Sequence, residues 1–259
     1  MHPRRPTAYP VWSPLLLLLL ILPALIALFY FDLARQAFER LGLSPGSAIL
    51  MLSASLLGSI VNIPVSRRKV VLTDPAVLRL PSLLRWLLPV LHFYPPTVAE
   101  QVLAINVGGA VVPVVFSIYL CSLPGTSIPA ALGAIAIVAA VAKLLARPQP
   151  QVGIILPSFI PPLVAAIAAH VLTLAVGGGA DPAPVAYIGG TLGTLIGADL
   201  LNLPAILRGE LTGLDAVPAE QAGPYISQLP AQQHLMLSIG GAGVFDGIFL
   251  TGIVAPLLA

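Results

Sequence analysis

Seven apolar runs of about 20 residues, cut by charge or by Gly and Pro, succeed one another along the chain. Each is long enough for a helix to cross a ~30 Å hydrocarbon core. They cover residues 11–31, 43–65, 103–123, 128–146, 153–176, 183–203 and 235–258. Only 8% of the 259 residues are charged while 58% are hydrophobic, so a soluble domain of this length could not cover its surface, whereas lipid needs no such cover. The expected fold is all-α: a polytopic transmembrane helix bundle of about seven spans, forming one integral membrane domain over residues 1–259.

Arg4 and Arg5 precede the first run, as in a signal peptide. The run exceeds the usual signal length, and no small-x-small cleavage site follows before Asp32 and Arg35, so it reads as a retained span. Basic residues then set the orientation, because they favour the cytoplasm in short loops near span ends. A cytoplasmic N-terminus puts Arg4, Arg5, Arg67, Arg68, Lys69, Arg79, Arg85, Lys143, Arg147 and Arg208 inside and leaves Arg35 and Arg40 outside. The C-terminus is then extracytoplasmic, and the expected location is the inner (cytoplasmic) membrane, multi-pass, with the lipid bilayer as partner.

Two cytoplasmic loops, 66–102 and 204–234, are long enough to hold structure. In the first, Leu78, Leu80, Leu83, Leu84, Trp86, Leu87 and Leu88 around Arg79 and Arg85 suit a helix lying in the interface. An ordinary loop accounts for them equally, and residues 69–73 and 97–104 could instead pair as short strands. The second loop mixes Arg208, Glu210, Asp215 and Glu220 with Pro, Gly and Gln, and reads as mobile.

Two of the ten acidic residues, Asp199 and Asp246, fall inside apolar runs. A carboxylate at mid-membrane costs about 2.5–3.5 kcal/mol on insertion scales, so it normally faces the protein interior and marks a functional site. Gly189, Gly193 and Gly197 form a ridge at i, i+4, i+8 that allows close helix approach, with Asp199 and Asn202 on the other side. Gly243 and Gly247 flank Asp246 and leave room for a partner helix or a substrate backbone. Ser55, Ser59 and Asn62 make one polar stripe. Asn62, Asn106, Asp199 and Asn202 all fall in the cytoplasmic third, with Asp246 deeper by roughly 5–8 Å at 1.5 Å per residue. Pro157, Pro161 and Pro162 should kink or break the fifth span.

Other chemistry lacks residues. A single cysteine, Cys121, rules out an intramolecular disulfide and a cysteine metal cage. The net charge of +2, with no basic run interleaved with aromatics, sets aside nucleic acid as a partner. No H-E-x-x-H, G-x-S-x-G, P-loop or CxxC pattern is present. No cofactor and no metal is expected.

The stretches GSIVNIP (58–64), INVGGAVVP (105–113), GTLIGADLLNL (193–203) and SIGGAGVFDGIFLTGI (238–253) resemble a prokaryotic membrane-protein family catalogued only as a domain of unknown function. That resemblance implies a polytopic membrane protein and no particular activity. The order Asp199, cytoplasmic loop, Asp246 is also similar to that of presenilin and signal-peptide-peptidase-type intramembrane aspartyl proteases. There, one Asp lies on a helix entering the cytoplasm and the other on the next helix leaving it. Ala198 stands where that group has Tyr, and Gly243-Val244-Phe245-Asp246 keeps only the first Gly of its Gly-x-Gly-Asp.

Three readings are open for these residues. In the first, Asp199 and Asp246 hydrolyse membrane peptides as an acid–base pair. In the second, the same aspartates bind H⁺ or a cation in a transporter or channel, beside Asn62, Asn106 and Asn202. In the third, the polar groups only hold helices together in a non-catalytic assembly protein.

Overall fold

The computed structural model describes residues 12–73, 97–149, 153–177, 179–208, 215–221, 230–241 and 247–259. Within them helices and strands divide the apolar runs between them. Helix α1 spans Trp12–Arg40 and α2 spans Pro45–Gly58. After Gly58 the β-branched series Ile60, Val61, Ile63, Val65 turns the chain into strand β1, Asn62–Thr73. Strand β2, Thr97–Asn106, returns antiparallel to it, from Leu72↔Thr97 to Asn62↔Asn106, with a bulge between Pro64 and Ser66. A π-helical turn, Val107–Val111, then opens α3, Val112–Cys121.

Helix α4, Ile128–Leu145, follows, capped by the Ser127 hydroxyl. The hairpin β3 (Arg147–Gln149) and β4 (Gly153–Ile155) leads to α5, Ile160–Val176. Asp181 caps α6, Pro182–Thr194, whose helical path continues through a π turn (Leu195–Asp199), a 3₁₀ turn (Leu200–Asn202) and α7 (Leu203–Leu207). Strands β5 (Asp215–Pro218) and β6 (Gln233–Ile239) precede α8, Gly247–Leu258.

The four-stranded sheet has the order β5-β1-β2-β6, with β6 parallel to β2 and the other pairs antiparallel. The expectation of an all-α bundle of about seven spans is therefore wrong. Among the described residues three helical segments are long and apolar enough to cross a membrane, Leu17–Arg40, Ile128–Leu145 and Pro182–Leu207, which fits a membrane protein. Runs 43–65, 103–123 and 235–258 fail as spans because each is part strand and part helix. Hydropathy averaged over 20 residues cannot separate a 2-residue from a 3.6-residue period. Run 153–176 is shortened for another reason: Pro161 and Pro162 sit in the first turn of α5, where a missing N–H costs nothing, so they start the helix instead of kinking it.

The alternative pairing of 69–73 with 97–104 is what forms, as part of the longer β1–β2 ladder. The interfacial helix expected around Leu78 to Leu88 lies outside the described residues.

Two packing regions result. In the helical bundle, Gly189, Gly193 and Gly197 press on α4. A methyl at Gly189 would stand 2.5 Å from Ala134 Cβ, one at Gly193 2.6 Å from Val138 Cβ, and one at Gly197 would strike the Ala139 carbonyl. The small-residue seam thus brings two backbones together. Phe116 meets Tyr187 edge-on with ring centroids 5.0 Å apart and Phe38 at 5.6 Å, pairs worth about 0.5–1.5 kcal/mol each beyond burial. On one face of the sheet Val70, Leu72 and Ala99 pack with Ala216 and Leu235. A third cluster joins the two regions, with Ala110, Leu195 and Ile248 packed against Ile105, Val114 and Ile239.

Candidate functional site at the sheet–bundle junction

Strands β1, β2 and β6 end together where they meet the helices. Asn62 lies opposite Asn106, and Ile239, the last residue of β6, opposite Ile105. Backbone approaches there are close enough to require glycine. The chain at Gly58 passes Gly108, and a methyl on Gly58 would lie 2.9 Å from the Gly108 nitrogen. Gly109 faces the Gly240 carbonyl so closely that no Cβ fits. Gly240 itself has φ +93°, a left-handed turn that ends β6 and aims its N–H away from the ladder.

That N–H donates to Asp199 Oδ2 at 2.7 Å. Asp199 is half-buried and closes the π turn Leu195–Asp199. π turns are rare and often mark functional sites, and here two of them, Val107–Val111 and Leu195–Asp199, meet at the same junction through Ala110 and Leu195.

The asparagines singled out in the sequence are drawn into the same region. Asn106, 2% exposed, donates from Nδ2 to the Ser59 carbonyl at 2.7 Å and to Asn62 Oδ1 at 3.2 Å. Its Oδ1 accepts from the Gly109 N–H at 2.8 Å, capping the first π turn. Asn62 Oδ1 accepts a second hydrogen bond, from the Ser238 hydroxyl at 2.6 Å. Asn202, one turn beyond Asp199, faces elsewhere. Its Nδ2 donates back to Ala198 O at 2.8 Å, and its Oδ1 accepts from Lys143 Nζ at 2.7 Å. Lys143 also donates to Leu201 O at 2.8 Å, so a cation from α4 holds the 3₁₀ turn where the helical path leads into α7.

Asp246 and Gly243 lie outside the described residues. The chain on both sides of position 246 is placed, however. Gly240 touches the Asp199 carboxylate, and Ile248 shares a buried cluster with Leu195, the first residue of the turn that Asp199 ends. Gly247 is the first described residue of α8, and among the described residues Leu156 lies near its α-carbon.

Ser238 and Lys143 take part in this network without having been singled out as site residues from the sequence. The Gly240-Gly241 pair was the available signal for the turn, and both residues have positive φ. A second feature lies deeper in the bundle, a cavity of about 10 Å³ beside Phe38, Met51, Tyr187, Thr191 and Ile248. Its size suits a single water.

No curated protein and no solved structure matches the chain. Residues 56–258, which contain the sheet, the junction and every helix from α3 to α8, match the family described as "Protein of unknown function (DUF1614)", and the chain belongs to that family.

Proposed function

We propose that the protein is a multi-pass membrane hydrolase of the aspartyl type, cutting membrane-embedded peptides with Asp199 and Asp246 at the cytoplasmic side of the inner membrane. One observation carries this reading. The two chain positions flanking Asp246, Gly240 and Ile248, are both fixed beside the turn that presents Asp199.

Two carboxyl groups brought together share one proton, which makes one a base and the other an acid. The ionised carboxylate takes a proton from water, the oxygen adds to the scissile carbonyl carbon, and the protonated partner gives its proton to the carbonyl oxygen. Collapse of the resulting diol breaks the C–N bond. The leaving nitrogen takes a proton, and a carboxyl and an amine remain. The Gly240 N–H fixes one oxygen of Asp199, so the carboxyl plane is held before substrate arrives.

A second reading, a non-catalytic junction, is favoured by the asparagines, because the Asn106 and Asn202 amides are taken up by protein groups. Cleavage of a transmembrane reporter peptide in proteoliposomes separates the two. Asp199→Asn keeps an acceptor for Gly240, so the fold should persist while cleavage falls at least about 100-fold, the scale of losing an acid–base group. The same loss is expected for Asp246→Asn. Cleavage at the wild-type rate by either variant would exclude the hydrolase.

A further inference from the structure

We propose that strand β1 crosses the headgroup layer of the membrane, with Ile60 to Val65 against lipid hydrocarbon and Arg67 against phospholipid phosphates. This rests on the membrane reading of the long helices and is independent of the hydrolase.

Along the start of the strand every apolar side chain is bare. Ile60 is 79% exposed, Val61 50%, Ile63 50% and Val65 58%. The bare apolar surface is continuous with that of α2, where Leu50 and Leu57 are exposed, so one lipid-facing belt runs from helix to strand. It stops at Ser66. Arg67 and Lys69, both exposed, follow on a strand that keeps its direction, with Glu100 opposite Lys69. The order hydrocarbon-like, then cationic, matches the order of acyl chain and phosphate in a leaflet, and an arginine fork suits phosphate oxygens.

Backbone groups are the cost of putting a strand at this depth. Among the described residues β5 pairs with β1 from Val70 to Thr73 and adds the Ala219 N–H to the Lys69 carbonyl, so Asn62 to Ser66 have a strand partner on one side. Pro64 has no N–H to leave unpaired, and the bulge beside it twists the strand, two devices that suit an uncovered edge.

Other cations lie near the same level. Arg68 donates to the Leu207 carbonyl at 2.7 Å, and Lys143 to Leu201. The register then fixes how deep the candidate acid lies. Gly240, bonded to Asp199, follows Ile239, which is level with Ile105 and Ile63. Arg67 is four residues farther along β1, about 13 Å at the rise of a strand. Asp199 thus lies below the phosphates, at the edge of the hydrocarbon, and the sheet carries polar backbone down to it.

Single-cysteine variants of the full chain, in a Cys121→Ala background, test this in phosphatidylcholine–phosphatidylglycerol liposomes. Positions 22, 63, 65 and 67 each receive a cysteine carrying a fluorophore, and lipids nitroxide-labelled high on the acyl chain serve as quenchers. The expected result is at least threefold stronger quenching at 63 and 65 than at 67. A water-soluble maleimide should also label Arg67→Cys at least tenfold faster than Ile63→Cys. Equal labelling at 63 and 67, with Leu22→Cys quenched in the apolar part of α1, would overturn the proposal alone. If Leu22→Cys is not quenched either, the membrane reading and this proposal fall together.

Discussion

Gly240 ends β6, touches Asp199 and packs on the first π turn, so substituting it tests the junction directly. Gly240→Ala meets two costs. At φ +93° an L side chain costs about 1–2 kcal/mol. The added methyl would also stand 2.7 Å from Ala110 Cβ and 2.8 Å from the Ala110 backbone nitrogen, an overpacking worth about 1–3 kcal/mol because backbone cannot rotate away. The sum is about 2–5 kcal/mol, a large share of the about 5–15 kcal/mol that holds a typical domain together. Two other glycines calibrate it. Gly42 has φ +88° with nothing within 4 Å of an added methyl, so Gly42→Ala should cost the strain alone, about 1–2 kcal/mol. Gly46, in the first turn of α2 with no positive φ and equally open space, should tolerate Ala or gain up to about 1 kcal/mol. Unfolding of the three variants in mixed micelles, followed by circular dichroism against SDS fraction, gives the ranking. If Gly240→Ala is no more destabilising than Gly42→Ala, the tight contact of the β6 turn with Ala110 is not present in the folded protein, and the seating of Gly240 beside Asp199 loses its first support.

Three further substitutions probe the elements around that turn. Asn106→Ala removes three hydrogen bonds from a site 2% exposed and should destabilise by about 2–4 kcal/mol in the same titration. Gly197→Ala drives a methyl into the Ala139 carbonyl and 2.8 Å from Ala142 Cβ, and should cost about 1–3 kcal/mol by separating α4 from the helix that bears Asp199. Lys143→Met keeps the aliphatic stem but removes the cation from Leu201 O and Asn202. A loss of about 1 kcal/mol is expected, together with faster amide exchange across residues 200–207, and unchanged exchange there would refute the role of Lys143 in holding the 3₁₀ turn.

Much of the bundle was legible because its signals are local. The i, i+4, i+8 glycines of 189–197 announce a close helix pair, and α4 packs on them. The hidden part lay in runs where element type changes midway. In 43–65 the change falls at Gly58, and its signal, β-branched residues at 60, 61, 63 and 65, is erased by averaging hydropathy. In 235–258 the strand β6 stops at Ile239 and the pair Gly240-Gly241 turns the chain before the helix described over Gly247–Leu258, a change of element that averaged hydropathy also hides. The grouping of Asn62 with Asn106 was anticipated from depth alone, but the hydrogen bond between them arises from strand register, Asn62↔Asn106, which no helical wheel contains.

That register changes the meaning of a polar residue in an apolar run. In a helix buried in lipid, Asn or Asp pairs with another helix or with a carbonyl of its own, as Asn202 does with Ala198, because the backbone N–H groups are already taken. At a strand-to-helix transition the backbone itself is unpaired, and the polar side chain has work to do locally: Asn106 supplies an acceptor to Gly109, and Asp199 accepts from Gly240. Asparagine suffices for that work at 106. At 199 the group receiving the Gly240 N–H is a carboxylate, although an amide oxygen would accept the same bond. The difference between Asp199→Asn in stability, where little change is expected, and in peptide cleavage, where a large one is, isolates what the ionisable group adds beyond its hydrogen bond.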